Sequence, residues 1–584
     1  MSYALGTWSL DGILAGETLE QLISDVRQKA RIFASMRQSL HANMSTSKFN
    51  EILSSIEGIQ ELLARIGGHT SLVYAQNTQS EEASALKTRI NQITSEIGND
   101  IIFFDLWWKR DMGDDDAGRL AESAGDLADM LLHKRRLARH SLKEGEERII
   151  NLLDVTGASA LVKLYDMMTN AYTYDITLHG EQKSLGREEL MVYVRDADYG
   201  TRKTAYDALL DKYSKNRNIL SEIYHNIVLN YRNEFVSLRE YDSPISVMNA
   251  GSNIDDSTVD ALLQVCSKRA DTFQRYFAKK ASMLHMKRLS RYDVYAPMTD
   301  LEKSYAYNEA VGMVLDTFYK FSDVVGDYAK SVFDGGHVHS KLQPGKMSGA
   351  FCSTISPKIT PFVLLNYTGE SRDVFTMAHE LGHAIHSIAA SPKSILVQHA
   401  PLPLAETAST FSEMLLFDVI LDKMDASEQV SVLAGKMDDL YATIMRQAFF
   451  TQFEIQAHQK LSEGATAAQI SDVYMQTLHE QFADSVYVSD VFSSEWLAIP
   501  HFYHSPFYCY SYAFGNLLAA SLFQRYKREG SDFVPSYLGI LSAGGSRKPE
   551  DLLHEYGFDI GSATFWQEGF DYIDSLYSHL NTAV

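Results

Sequence analysis

The sequence predicts a mainly α protein, and three observations carry that prediction. Apolar residues recur at three- and four-residue spacing, with charges between them, over residues 19–40, 51–66 and 119–141. This is the pattern of amphipathic helices. Proline is scarce, at 12 in 584 residues, and only Pro244 precedes Pro297, so long helices can run unbroken. Strand-like patterning is confined to a few short stretches bounded by Gly and Pro.

Composition narrows the class. Hydrophobic residues make up 45% and charged residues 22% of the chain, as in globular proteins. The 53 basic and 75 acidic residues give a net charge of -22. That balance disfavours nucleic acid and anionic membrane surfaces as partners and reads as a solvated exterior. Cys266, Cys352 and Cys509 are odd in number and far apart. They form neither a disulfide framework nor a C-x-x-C metal spacing, so ordinary buried thiols in a reducing compartment are expected. The opening MSYALGTWSLDGILAGETLEQ lacks a basic segment followed by an apolar one, and no apolar run approaches bilayer length. The expected location is cytoplasmic.

The elements follow in order. Residues 172–190, YTYDITLHGEQKSLGREEL, alternate apolar and polar and then break at glycines, which predicts a short hairpin. A boundary here divides an N-terminal helical domain, 1–187, from a larger catalytic region, 188–584. Two further strands are predicted at 348–356 (SGAFCSTIS) and 361–366 (PFVLLN). TGES at 368–371 then supplies a turn, with Ser371 as N-cap and Asp373 in the first turn. The helix VFTMAHELGHAIHSIAA ends before Pro392. After a proline-containing loop, LAETASTFSEMLLFD at 404–418 reads as a second helix.

The first of these helices contains H-E-L-G-H. His379 and His383 project from one face at neighbouring turns and can hold one Zn²⁺. Glu380 beside them can act as general base on a water at the metal. Catalytic zinc takes three protein ligands. A metzincin third histidine is excluded, because position 389 is Ala. His386 lies on the same helix, where three imidazoles seldom surround one ion, so it is expected to pack or to support a ligand. Glu406, near the N-terminal end of the second helix, is the nominated third ligand. Glu413, two turns on, is placed to hydrogen-bond a ligand imidazole. His337 and His339, in DGGHVHS, are expected to be solvent-exposed, and Gly544 and Gly545 to form a turn between helices.

At these residues the sequence resembles the thimet oligopeptidase / oligoendopeptidase F family of zinc peptidases, the oligoendopeptidase F branch most closely. The matching segments are RYDVYAP (291–297), GKMSGAFC (345–352), HELGHAIH (379–386), AETASTFSE (405–413), HFYHSPFYCYSYAFG (501–515) and SAGGSRKPEDLL (542–553). The resemblance runs from about residue 188 onward and is looser before it, where ERIINLLDVTGASALVKLYD (147–166) also fits. It implies a two-lobed helical zincin with a small β-sheet beside the active-site helix and a deep substrate channel. It further implies zinc-dependent endopeptidase activity on short unstructured peptides. His379, His383 and Glu406 would bind one zinc per chain, and Glu380 would be the base.

The resemblance also implies a His/Tyr cluster that contacts the reacting carbonyl. His501 and Tyr508 are favoured, with Tyr510 and Tyr512 as alternatives. Phe502, Phe507 and Phe514 are expected in the core. An edge strand containing Gly349, Ala350 and Phe351 would pair with an extended substrate backbone. The competing readings are a non-catalytic peptide-binding protein and a zinc hydrolase of a non-peptide amide. The oligomeric state is left open.

Overall fold

Helices account for most of the computed structural model, which describes residues 3–178, 180–298 and 304–583. The first predicted helix is Leu19–Ser35, continued by a 3-10 turn, Met36–Ser39. Its start is fixed reciprocally. Thr18 accepts from Gln21 N at 3.2 Å, and the Gln21 side chain accepts from Thr18 N at 2.7 Å. The second helix, Thr46–Gln76, overruns the predicted 51–66 at both ends. The third prediction is corrected. Residues 119–141 are not one helix but parts of Asp114–Glu122, a 3-10 turn Gly125–Leu127, and Ala128–Ala138. Gly125 adopts φ 58, which ends the first run.

Two compact units form, each from separated stretches of chain. One comprises 1–139, 302–423 and 522–559; the other comprises 140–301, 424–521 and 560–584.

In the first unit the early helices share a core that includes Phe33, Phe49, Phe104 and Trp108. A three-stranded sheet follows. Phe362–Leu364 is central, parallel to Val338–His339 and antiparallel to Phe351–Ser353, with Cys352 opposite Val363. The central strand is buried along its whole length, as its unbroken apolar run requires. Phe351–Ser353 is left on the edge and packs against the helix Ser371–Ala389. His337 and His339 are not exposed as expected. His339 is fully buried in a strand, and the His337 ring stacks on Phe362 at 4.0 Å. The turn composition of DGGHVHS hid a short strand that the sheet recruits. Gly544 and Gly545 do join two helices, Val534–Ser542 and Pro549–Glu555.

In the second unit the predicted hairpin forms as Tyr174–Leu178 and Glu181–Leu185, with Tyr174, Ile176 and Leu178 buried on one face. Helix Tyr199–Lys215 packs on the hairpin, and helices Arg217–Tyr231, Arg446–Ser462 and Ala467–Phe482 pack against one another. The RYDVYAP segment has a structural role here. The buried Arg291 pairs with Glu495 at 2.6 Å, and Asp293 pairs with Arg202 at 2.6 Å. Cys266 and Cys509 are buried, as expected; Cys352 is only partly so, because it sits on the edge strand. No helix among the described residues is long and apolar enough to cross a membrane.

Candidate active site

The motif-bearing helix starts one residue earlier than predicted. Glu370 occupies the N-cap position and Ser371 is the first helical residue. The cap is supplied by Asp373, whose Oδ2 accepts the N–H groups of Thr368 at 2.7 Å, Gly369 at 2.9 Å and Glu370 at 3.2 Å. A carboxylate reaching back from the first turn accepts the N–H of the N-cap and of the two turn residues before it, and complements the positive helix end.

The second predicted helix is split at the residue nominated as ligand. Leu402–Ala405 is one short turn, Glu406 is the junction, and Thr407–Leu421 is the long helix. Contacts along the pair run in opposite senses. Phe375 meets Phe417 at 6.3 Å, His379 meets Glu413, and Gly382 faces Ala408 and Ser409. The helices are therefore antiparallel. They approach closely at Gly382, where a Cβ would lie 2.6 Å from Ala408 O and 2.6 Å from Ser409 Cα. Gly382 is not among the residues that the motif itself singles out. A glycine in mid-helix was the available signal.

This packing gathers the metal-ligating groups. Nε2 of His379 and Nε2 of His383 each lie 3.4 Å from Oε2 of Glu406, and one ligand atom from each residue lies within 4.8 Å of the others. Tetrahedral ligands at zinc bond lengths of about 2.0–2.1 Å stand about 3.4 Å apart, so the set fits that ion. Ser409 Oγ donates to Glu406 Oε2 at 2.7 Å and orients the carboxylate. Nδ1 of His379 lies 2.6 Å from Oε1 of Glu413.

Electrostatics follow from burial and crowding. Burial opposes protonation of His379, but the carboxylates of Glu413, Glu406 and Glu380 outweigh it and raise its pKa to about 9. His383 shifts the other way. Burial lowers its pKa, and Glu406 only partly compensates. The two imidazoles differ because Glu413 serves His379 directly. Burial raises Glu380 to about 7, with His379 opposing and Glu406 reinforcing. His386 is buried and pushed down to about 4, first by desolvation and then by His383 and His399.

A pocket of about 340 Å³ opens beside Glu380 and His383, walled by Phe351 and Cys352 of the edge strand, by Ala350 before it and by His386. Gly349 lies just before the strand. Its φ of 77 is what calls for glycine, and a Cβ there would meet nothing within 4 Å of the chain itself.

In the second unit, a ring cluster forms from the Tyr-rich segment. The His501 ring lies 6.1 Å from Tyr508 and 5.9 Å from Tyr512, and the two tyrosines are 5.2 Å apart. Tyr512 Oη is 3.5 Å from His501 Nε2. Tyr510, one of the expected candidates, is fully buried at the start of the helix Tyr510–Glu529, while Tyr508 and Tyr512 stay partly exposed. His504 is engaged with Asp166 at 2.7 Å. Phe502, Phe507 and Phe514 are buried as expected.

Comparison with known proteins follows the same line. The model of "Peptidase family M3" matches residues 192–572. An oligoendopeptidase F homolog of Borreliella burgdorferi is 26% identical over 577 residues, covering 95% of this chain and 94% of that protein. Oligopeptidase PepF of Bacillus subtilis is 27% identical over 441 residues, covering 72% of this chain and 64% of that protein. Among solved structures, oligoendopeptidase-F from Enterococcus faecium superposes with a TM-score of 0.69 at 19% identity, covering 97% of this chain and 99% of that one.

Proposed function

The chain belongs to peptidase family M3, and from that membership we propose that it is a zinc-dependent endopeptidase that hydrolyses short, unstructured peptides. One observation carries the proposal: His379, His383 and Glu406 converge at zinc-ligand spacing with Glu380 on the same helix face region, at the mouth of a pocket. When bound there, Zn²⁺ supplies Lewis-acid polarisation and lowers the pKa of water.

The chain's own residues do the rest. His379 presents Nε2 because Glu413 holds its Nδ1. Glu380, buried and raised in pKa, takes the proton of the attacking water and delivers it to the leaving amine. His501 and Tyr508, with Tyr512 in the same cluster, are proposed as donors to the developing oxyanion, where each such donor is worth about 2.7–4 kcal/mol. The core position of Tyr510 favours Tyr508 and Tyr512 over it. Phe351, the first residue of the edge strand, and Ala350 just before it are proposed to hydrogen-bond the extended substrate backbone.

The family match begins at residue 192, which supports the proposed division into an N-terminal region, 1–187, and a catalytic region, 188–584. A cytoplasmic location is proposed on the dispersed cysteines.

The test of substrate class is an assay of the purified chain on short peptides, esters and N-acyl compounds, with products identified by mass. Internal cleavage of peptides is expected. Turnover confined to esters or N-acyl compounds would move the chain to a different hydrolase class. Peptide binding without turnover of any substrate would make it a binding protein.

A further inference from the structure

Phe507 is a bulky residue in the left-handed region, at φ 62. L-residues other than glycine and Asn/Asp rarely adopt that conformation, and it persists only where surroundings impose it. It immediately precedes Tyr508. Two restraints from one helix, Arg446–Ser462, act on it. Glu454 Oε1 accepts the Phe507 N–H at 3.0 Å. His458, one turn on, packs its ring 4.6 Å from the Phe507 ring. Tyr231 closes the other side at 6.2 Å.

The carboxylate is unusual in its setting. Glu454 is fully buried, and its second oxygen, Oε2, has no hydrogen-bond partner among the described residues. No ion pair to it exists among them either. Both ring nitrogens of His458 and the hydroxyl of Tyr224 are likewise buried without partners among the described residues. Burial raises the Glu454 pKa to about 8, and the bond from Phe507 only partly opposes that. A core made for stability alone would hold an apolar side chain here. What the carboxyl group does contribute is one directed acceptor, aimed at the backbone of the residue before Tyr508.

We propose that Glu454 is a positioning residue: by accepting the Phe507 N–H it holds the left-handed backbone that sets the orientation of Tyr508 beside His501. This rests on the reading of Tyr508 as a donor in catalysis. The neutral acceptor is what matters, so an amide should substitute for the acid, whereas a side chain without an acceptor, or with one drawn back, should not.

The test is steady-state hydrolysis of a quenched peptide by full-length Glu454→Gln, Glu454→Met, Glu454→Asp, Tyr508→Phe and the double variant Glu454→Met/Tyr508→Phe, together with a crystal structure of Glu454→Met. Glu454→Asp serves in place of Met, for kinetics and structure, if Met prevents folding. The expected result is that Met and Asp lower kcat by about 100- to 1,000-fold, as loss of one aligned donor does, with KM changed less than about threefold. Gln keeps kcat within about threefold. The double variant is no slower than Tyr508→Phe alone, because both changes remove one interaction. In the crystal structure Phe507 leaves the left-handed region and Tyr508 turns away from His501.

The proposal is overturned if Phe507 keeps its φ in the acceptor-less variant, if Gln is as damaging as Met or Asp, or if the two losses multiply. Full activity in Tyr508→Phe would instead overturn the donor reading, and the crystal structure would still decide whether Glu454 sets the backbone.

Discussion

His379 Nδ1 and Glu413 Oε1 lie 2.6 Å apart, across the antiparallel helix pair. The contact fixes which imidazole nitrogen carries the proton and leaves Nε2 as the lone-pair donor, 3.4 Å from Glu406. It accounts for a glutamate seven residues beyond Glu406, on the helix Thr407–Leu421. Glu413→Gln should lower zinc affinity by about 10- to 100-fold. Competition with a chromogenic chelator measures this directly; unchanged affinity would reduce the contact to a helix-packing ion pair.

The closeness of the two helices depends on Gly382. In Gly382→Ala the new methyl would meet the Ala408 carbonyl and Ser409 Cα at 2.6 Å, neither of which is a flexible side-chain end. The helices must separate, moving Glu406 from the histidines. Stability should fall by about 1–3 kcal/mol, and zinc stoichiometry should drop as well. Thermal unfolding and metal analysis read the two effects. A variant with wild-type Tm and full zinc would refute the close-packing account.

The cap of the motif helix gives a separate stability prediction. Asp373→Ala leaves three N–H groups without their carboxylate and should cost about 0.5–2 kcal/mol. Asp373→Asn, which keeps an acceptor, should cost less. Equal losses would mean that charge, and not acceptance, is what matters there.

A pH prediction follows from Glu454. Its folded-state pKa, raised to about 8, lies above the ordinary 4.5. Folding therefore takes up a proton between those values. The stability linked to this group is fully present below about pH 4.5, falls as pH rises through the window, and falls no further above about pH 8. Glu454→Gln removes this dependence, so the Tm of wild type should decline more steeply than that of the variant between pH 5 and about 8. Parallel Tm curves would show that Glu454 does not take up the proton.

Much of this was legible in the sequence, and for identifiable reasons. The convergence of His379 and His383 is legible because helical spacing converts directly into a shared face, and that of Glu406 because it lies near the start of the next helix. The strands around Phe351 and Phe362 were found because short apolar runs between Gly and Pro have few other fates. What local pattern could not show was set by tertiary partners. The burial of His339 depends on a strand recruited from a turn-like stretch. The choice among Tyr508, Tyr510 and Tyr512 depends on where the helix Tyr510–Glu529 begins and which way it faces. Glu454 lies 53 residues from its contact at Phe507, and no spacing rule reaches that far.

The central claim is zinc-dependent peptide hydrolysis with Glu380 as the base. The most direct measurement is cleavage of a quenched fluorescent peptide library by wild type and Glu380→Gln, before chelation, after chelation and after zinc is restored. The account predicts that wild type cleaves short peptides, loses activity with chelator and regains it with zinc. It also predicts that Glu380→Gln binds one zinc per chain and turns over orders of magnitude more slowly. Cleavage that survives complete removal of zinc, or full activity in Glu380→Gln, would contradict it.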